Sequence, residues 1–371
     1  MRDTKLSQTM RIALIGNDMY PQFPLRGYGG IESSVETLAW GLHRAGRDFF
    51  CVVPSSGADA ATGPPSCPFE VRRTRARATV LSRTSPEAFA TEARRILGDE
   101  KPDAIWAQSL WSVEPFAPLD IPTIVTIQDS GPGEPERLGQ HPSVAYRFIS
   151  GYQYRNWVRD DALRCRSFMA YTSLGEEEYD FHPSGGDSYL WVGGLGWGFE
   201  GKGLDTFLDL ARRNPGKRFV AYASGRRGQV LRARWASFRM RNFHFKGELL
   251  RGRAHREAFR NARALIMPTR LMEALGRTVL ESLSKGTPVL GSGNGALPEL
   301  INGHNGIATN DFERLNAALD RDFDRRTCYA SSERFHVRHE VDRLLAVTGR
   351  LLNGTFHGDS LVDESPSGGW A

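Results

Sequence analysis

The sequence predicts an α/β chain built from two Rossmann-like domains that face each other across a cleft. Three observations carry the prediction. Short apolar strands alternate with amphipathic helices in two separate series, a stretch rich in helix and strand breakers divides the series, and glycine turns sit at strand ends. In the first series residues 11–16 (RIALIG) read as a buried strand and residues 27–30 (GYGG) as a turn. From residue 31 to 45 the pattern becomes helical, with Ile31, Val35, Leu38, Leu42 and Ala45 on one face and Gly46 ending it. Residues 49–54 (FFCVVP) form a second apolar run, which completes the crossover unit of a parallel sheet. Further strands are predicted at residues 104–107, 123–127 and 167–172.

The segment 181–187 (FHPSGGD) is the predicted linker, because Pro, Ser and paired Gly break both periodicities. A second series follows, with strands at 188–193, 218–223, 242–245, 264–267 and 288–291. Helices are predicted at 204–213, near 229–239, near 254–262 and at 277–284. The expected division is therefore residues 1–183 for the first domain and 184–332 for the second. A helix follows over 333–354, and a Gly/Ser/Asp-rich tail over 355–371 is expected to be disordered. No repeat of fixed period appears, which excludes a solenoid.

The 371 residues allow two domains at about 150 residues each. With 40% hydrophobic and 25% charged residues, the composition excludes a disordered, collagenous or disulfide-stapled chain. No apolar run is long enough to span a bilayer, and the N-terminus carries no signal-peptide core. Cys51, Cys67, Cys165 and Cys328 lack metal or redox spacing, which fits reduced thiols and a cytoplasmic location. The net charge of +5 is unevenly spread: residues 1–186 hold 20 Lys and Arg against 23 Asp and Glu, and all the basic excess lies beyond them. Such a field draws in anions, although a solvated Arg-rich surface explains it equally well.

The most informative stretch is residues 267–303, MPTRLMEALGRTVLESLSKGTPVLGSGNGALPELING. Glu273 and Glu281 are separated by seven residues, with Ala-Leu-Gly276 after the first and a helix starting near Arg277. A helix N-terminus there would present backbone N–H groups at Leu275, Gly276 and Arg277, whose free donors and partial positive charge attract phosphate. Gly276 removes a side chain where a phosphate needs close approach. Glu281, about one turn into the helix, is spaced to accept hydrogen bonds from two ribose hydroxyls. Glu273, ahead of the helix, is placed to grip sugar hydroxyls or a developing positive charge. The plainer alternative is a surface helix whose acidic residues face water.

Taken together, Glu-x7-Glu and the following KGTPVLGSGNGALPELI resemble glycosyltransferase family 4, retaining and metal-independent sugar transferases of the GT-B fold. The likeness extends to RGYGGIESSVETLAWGLHRAG in the first domain, to Gly201-Lys202-Gly203 opening the second, and to Asn302-Gly-His-Asn-Gly306. It touches most of the chain from residue 11 to about 310. The resemblance implies that Glu281 holds the donor ribose and Glu273 the transferred sugar. The backbone of Leu275, Gly276 and Arg277, with the Lys202 ammonium, would stabilise the leaving diphosphate. Gly29 and Gly30 would approach the donor phosphates from the first domain. The turn Phe245-Lys246-Gly247-Glu248-Leu249, through Lys246 and Leu249, would line the base. It further implies no resident cofactor or metal, a UDP- or GDP-linked sugar as substrate, and a glycan, lipid-linked or small-molecule acceptor. No nucleic-acid partner is implied, and peripheral membrane contact is compatible with it.

Two departures stand out. Family members carry a His, often followed by Asp, where this chain has Gln128 and Asp129, so these catalytic positions carry altered chemistry: Gln cannot take up a proton near neutral pH. Gly194 stands where an Arg braces the diphosphate, with Arg226, Arg227 and Arg270 as candidate substitutes. Both departures motivate an alternative, a catalytically impaired transferase-like subunit that binds a partner. A weaker alternative is an NADP-dependent oxidoreductase, since Gly196-Trp-Gly198-Phe-Glu-Gly201 matches GxGxxG and Arg226-Arg227 suits a 2′-phosphate. His336 and His339 share a helical spacing but have no third ligand nearby. Arg72, Arg73, Arg75, Arg77 and Arg83 read as a solvated strand and loop. Trp106, Trp111 and Trp157 fit either sugar platforms or core.

Overall fold

The computed structural model of the chain describes residues 10–17, 23, 29–55, 67–77, 86–108, 116–128, 138, 141–249 and 252–359. They divide into two compact units, Met1–Gly175 with Val337–Ala371, and Glu176–His336. In the first unit, β1 (Arg11–Ile15), β2 (Asp48–Ser55), β3 (Glu70–Arg77), β4 (Ala104–Ala107), β5 (Thr123–Ile127), β6 (Val144–Phe148) and β7 (Ser167–Met169) form one parallel sheet. Its order is β3-β2-β1-β4-β5-β6-β7. The side-chain period of two explains why these strands are apolar throughout: successive residues feed opposite faces, and both faces are covered. Ala13 and Ile15 join the helix Pro86–Glu100 through Phe89 and Leu97, whereas Ile12 and Leu14 join the helix Gly30–Arg44 through Val35 and Leu38. Trp106 and Trp157 are fully buried and therefore core, while Trp111 lies outside the described residues.

The helix Val337–Leu352 belongs to the first unit. A Cβ on Gly41 would stand 2.4 Å from Val337 Cγ2, so the glycine lets the two helices touch. Arg147 on β6 pairs with Glu340 at 2.7 Å, both side chains almost wholly buried. The remaining guanidinium donors reach the carbonyls of Ala170 and Tyr171 at 3.0 and 2.8 Å, and Glu340 accepts from the amide and hydroxyl of Ser173. Trp106 Nε1 donates to Thr348 at 2.9 Å. Disorder was expected from residue 355, but Phe356 is buried and Asp359 is salt-bridged to Arg343 and Arg350. Composition misleads there because two side chains suffice to anchor the segment; residues 360–371 lie outside the described residues.

In the second unit, β8 (Ser188–Gly194), β9 (Arg218–Ser224), β10 (Phe243–Phe245), β11 (Ala262–Met267), β12 (Val289–Gly291) and β13 (Gly306–Ala308) form a second parallel sheet, ordered β10-β9-β8-β11-β12-β13. Tyr189, Trp191, Phe207, Phe219 and Ile266 anchor one of its faces. The stretch 181–187, read as a linker, is instead packed inside this unit. A Cβ on Gly186 would meet the Asn261 carbonyl at 2.1 Å, and Arg325 Nε donates to the His182 carbonyl at 2.8 Å. The paired glycines serve close backbone approach rather than freedom. Strand order reverses between β8 and β11, and ligands of doubly wound sheets bind at the carboxyl ends beside such a switch point.

Candidate functional site

Two loops leave that switch point. After β8 the chain passes Leu195–Trp197 and Gly198–Gly201 and reaches Lys202 just before the helix Leu204–Arg213. Gly203 has φ +76°, and a Cβ there would stand 2.0 Å from the Pro268 carbonyl, so only glycine lets this turn lie on the end of β11. The amide of Arg270 donates to the Gly201 carbonyl at 3.0 Å, and Trp191 Nε1 donates to the Lys202 carbonyl at 3.1 Å. These contacts aim Lys202 at the second loop, where Nζ donates to Glu273 Oε1 at 2.6 Å.

The segment that carries Glu273 is held from the other side. Asn294 Nδ2 donates to the Thr269 carbonyl at 2.8 Å, and the Ala296 amide donates to the Glu273 carbonyl at 2.9 Å. Gly295, at φ +64°, approaches so closely that a Cβ would meet the Glu273 backbone at 2.3 Å. Thr269 Oγ1 donates to the same carboxylate oxygen as Lys202, at 3.2 Å. The stretch GSGNGALPE thus clamps the peptide under Glu273. A part-buried ammonium with donors to spare, next to a carboxylate, can engage an anion and hydroxyl groups together.

Glu281 lies deeper, on the helix Arg277–Leu283, with its side chain 3% exposed. His255 Nε2 stands 3.5 Å from one carboxylate oxygen and Arg277 Nε 3.3 Å from the other. Burial alone would raise its pKa; the hydrogen bond and charge of His255, then the charges of Arg277 and Lys285, outweigh burial and hold it at about 2. Arg277 also grips both oxygens of Glu178 at 2.7 and 2.8 Å. Burial pushes the Lys285 ammonium pKa down, against the pull of Glu178 and Glu281. Glu281 is therefore an ionised acceptor at neutral pH.

The remaining predicted residues fall as follows. Gly276 is glycine for conformation and packing, with φ +104° and a Cβ position 2.8 Å from Leu297 Cδ2; Leu275 beside it is buried. Lys246 is exposed and Leu249 buried in the turn after β10. Gly29 caps the helix Gly30–Arg44, its carbonyl accepting from the amide and hydroxyl of Ser33, and a Cβ on Gly30 would meet nothing within 4 Å. Gln128 follows β5, with Nε2 3.5 Å from Gln108 Oε1; Asp129 lies outside the described residues. Gly194 is ordinary extended backbone with open space beside it, and Arg270 is tied to Asp205 at 2.6 Å.

Sequence reasoning missed His255, Glu178, Thr269, Asn294 and Gln108. His255 shares a helical face with Phe259, four residues on, but that spacing marks the helix and not the neighbouring Glu281. The rings of that pair lie 4.9 Å apart. Among the described residues no group of three or more His, Cys, Asp or Glu side chains is gathered as a metal site.

Two doubly wound parallel sheets, with polar residues gathered at the carboxyl edges of their strands, define an α/β protein of the GT-B class. Residues 29–179 match the model of the glycosyl transferase 4-like domain, and residues 186–322 match that of the glycosyl transferases group 1. The chain belongs to this family 4-like group of glycosyltransferases.

Solved structures agree in fold. AviGT4, a glycosyltransferase involved in avilamycin A biosynthesis, is 19% identical with a TM-score of 0.68, over 93% of this chain and 98% of that one. Anabaena HepE in complex with UDP and glucose is 14% identical with a TM-score of 0.66, over 91% and 99%. The pneumococcal O-GlcNAc transferase GtfA in complex with UDP and GlcNAc is 10% identical with a TM-score of 0.66, over 92% and 99%. None of the curated proteins matches the chain in sequence. Family membership leaves the dinucleotide reading of residues 196–201 without support, and Gly201 has another duty, since a Cβ there would stand 2.6 Å from Trp197 Cβ.

Proposed function

We propose that the chain is a retaining, metal-independent hexosyltransferase that draws on a cytoplasmic nucleotide-diphosphate sugar. The acceptor is a hydroxyl of a glycan, a lipid-linked sugar or a small molecule. The observation that carries the reading is the meeting of Lys202 and Glu273 at 2.6 Å on the carboxyl edge of the switch point, with ionised Glu281 nearby in sequence on the following helix. UDP in the HepE and GtfA structures favours a uridine donor over a guanosine one.

In this reading Glu281 accepts the ribose hydroxyls, Lys202 neutralises the diphosphate, and Glu273 orients the sugar. The bond from the anomeric carbon to the diphosphate breaks, and a new bond to the acceptor oxygen forms on the same face. The acceptor proton passes to the leaving phosphate oxygen. Because the leaving group takes the proton, Gln128 need not act as a base; it serves as a neutral hydrogen-bonding group. The test is a melting-temperature panel with UDP, GDP, ADP, TDP and NADP, each with and without magnesium. A diphosphate at 100 times its dissociation constant should add about 2.7 kcal/mol. Stabilisation by UDP without magnesium is expected, and Glu281→Ala should abolish it. Glu273→Ala should lower turnover while leaving UDP binding within about threefold. Stabilisation by NADP alone, or by no nucleotide, would overturn the reading.

A further inference from the structure

The helix Arg227–Arg239 in the second unit has two apolar faces. Val230, Ala233, Ala236 and Met240 turn inward onto the core of that unit, and Ser237 is tied to the backbone of Phe243 and Phe245. On its other side Leu231, Trp235 and Phe238 are 64%, 60% and 90% exposed. At about 100° per residue these three fall within an arc of roughly 60°, nearly opposite the core-facing stripe. Arg227 and Arg234 border the stripe on one side, Arg232 and Arg239 on the other. The Arg239 guanidinium lies over the Trp235 ring at 4.7 Å, and Arg232 lies over Phe199 at 4.3 Å. The helix carries no Asp or Glu, and Arg226 and Arg241 extend the charge at its ends.

Packing within the unit does not require this second stripe. Solvation does not favour it either, because a water-facing stripe would carry polar residues. We propose that this helix docks the protein on an anionic lipid surface, with Leu231, Trp235 and Phe238 entering the headgroup region and the flanking arginines pairing with lipid phosphates. A convex ridge of Trp, Phe and Leu between rows of guanidinium groups has the chemistry of an interfacial helix. A second copy meeting the same face would bring two unbalanced arginine rows together, so charge argues against that occupant. The inference does not depend on which donor the site takes.

The test is flotation of the full chain with phosphatidylcholine vesicles, with and without phosphatidylglycerol, at low and high salt. Trp235→Ser with Phe238→Ser, and separately Arg227→Glu with Arg234→Glu, are compared with the parent. All four side chains are exposed, and melting followed by circular dichroism checks that the fold is kept. The parent should float with anionic vesicles, far less with neutral ones, and each variant pair should reduce binding about tenfold or more at an unchanged melting temperature. Failure of the parent to bind anionic vesicles would overturn the proposal. So would binding untouched by either pair, or a concentration-dependent dimer that the variants dissolve while vesicles go unbound.

Discussion

Each unit of the chain buries a carboxylate against a guanidinium, and the two pairs are built differently. In the first unit Arg147 and Glu340 meet at 2.7 Å, and neighbouring carbonyls, an amide and a hydroxyl take up the other donors and acceptors. In the second unit Glu281 is equally buried, but the Arg277 guanidinium and the His255 ring stand at 3.3 and 3.5 Å. A saturated pair can only hold its own chain segments together. Around Glu281 the contacts are longer, and several neighbouring groups together, rather than one close pair, keep the carboxylate ionised. Equal burial thus goes with different contact geometry in the two units.

The contrast can be broken by substitution. Arg147→Met should be the costliest change, lowering the unfolding free energy by about 3–5 kcal/mol, because a buried carboxylate would lose its cation. Urea unfolding measures it, and a loss below about 1 kcal/mol would mean that the pair is not structural. Glu281→Gln comes next. Its folded pKa of about 2 lies below the ordinary 4.5, so the stability it adds is complete above the higher value and is lost as pH falls through the lower one. On the order of 3 kcal/mol is at stake, and the variant should flatten the stability curve in that acid window. Lys202→Met should cost at most about 1 kcal/mol of stability, as fits a part-exposed pair, while weakening UDP binding about tenfold. Equal effects on folding and binding would give Lys202 a structural role like that of Arg147. Gly194→Ala should be nearly silent, within about 0.5 kcal/mol, because its backbone is extended and the space beside it is open.

Much of the fold was legible because its strands are short apolar runs bounded by glycine. The helix Leu204–Arg213 and the strand Thr123–Ile127 stand where periodicity puts them. The edge strand β3 was harder to read, since Arg72 and Arg73 interrupt its apolar pattern; Arg72 instead bonds Glu100 at 2.7 Å. The site was legible only as far as its loops announce themselves. Lys202 and Glu273 sit beside glycines whose conformations leave a mark in the sequence. His255 sits in an Arg-rich helix, and its proximity to Glu281 arises from tertiary packing that no local pattern encodes. The packed stretch 181–187 failed for the opposite reason, because glycine marks close approach as well as freedom.

The place of the helix Val337–Leu352 also bears on how the protein is made. A ribosome releases residues 176–336, an entire sheet with its helices, before it releases the helix that carries Glu340. The second unit can therefore fold during synthesis, whereas the first must wait with Arg147 and the Val35–Leu42 helix face uncovered until the helix Val337–Leu352 emerges. Truncation a few residues short of Glu340 would leave the later-encoded unit whole and the earlier-encoded one unfinished. Nascent chains stalled near that point should thus present their chaperone-binding surface at the front of the molecule, the part translated first.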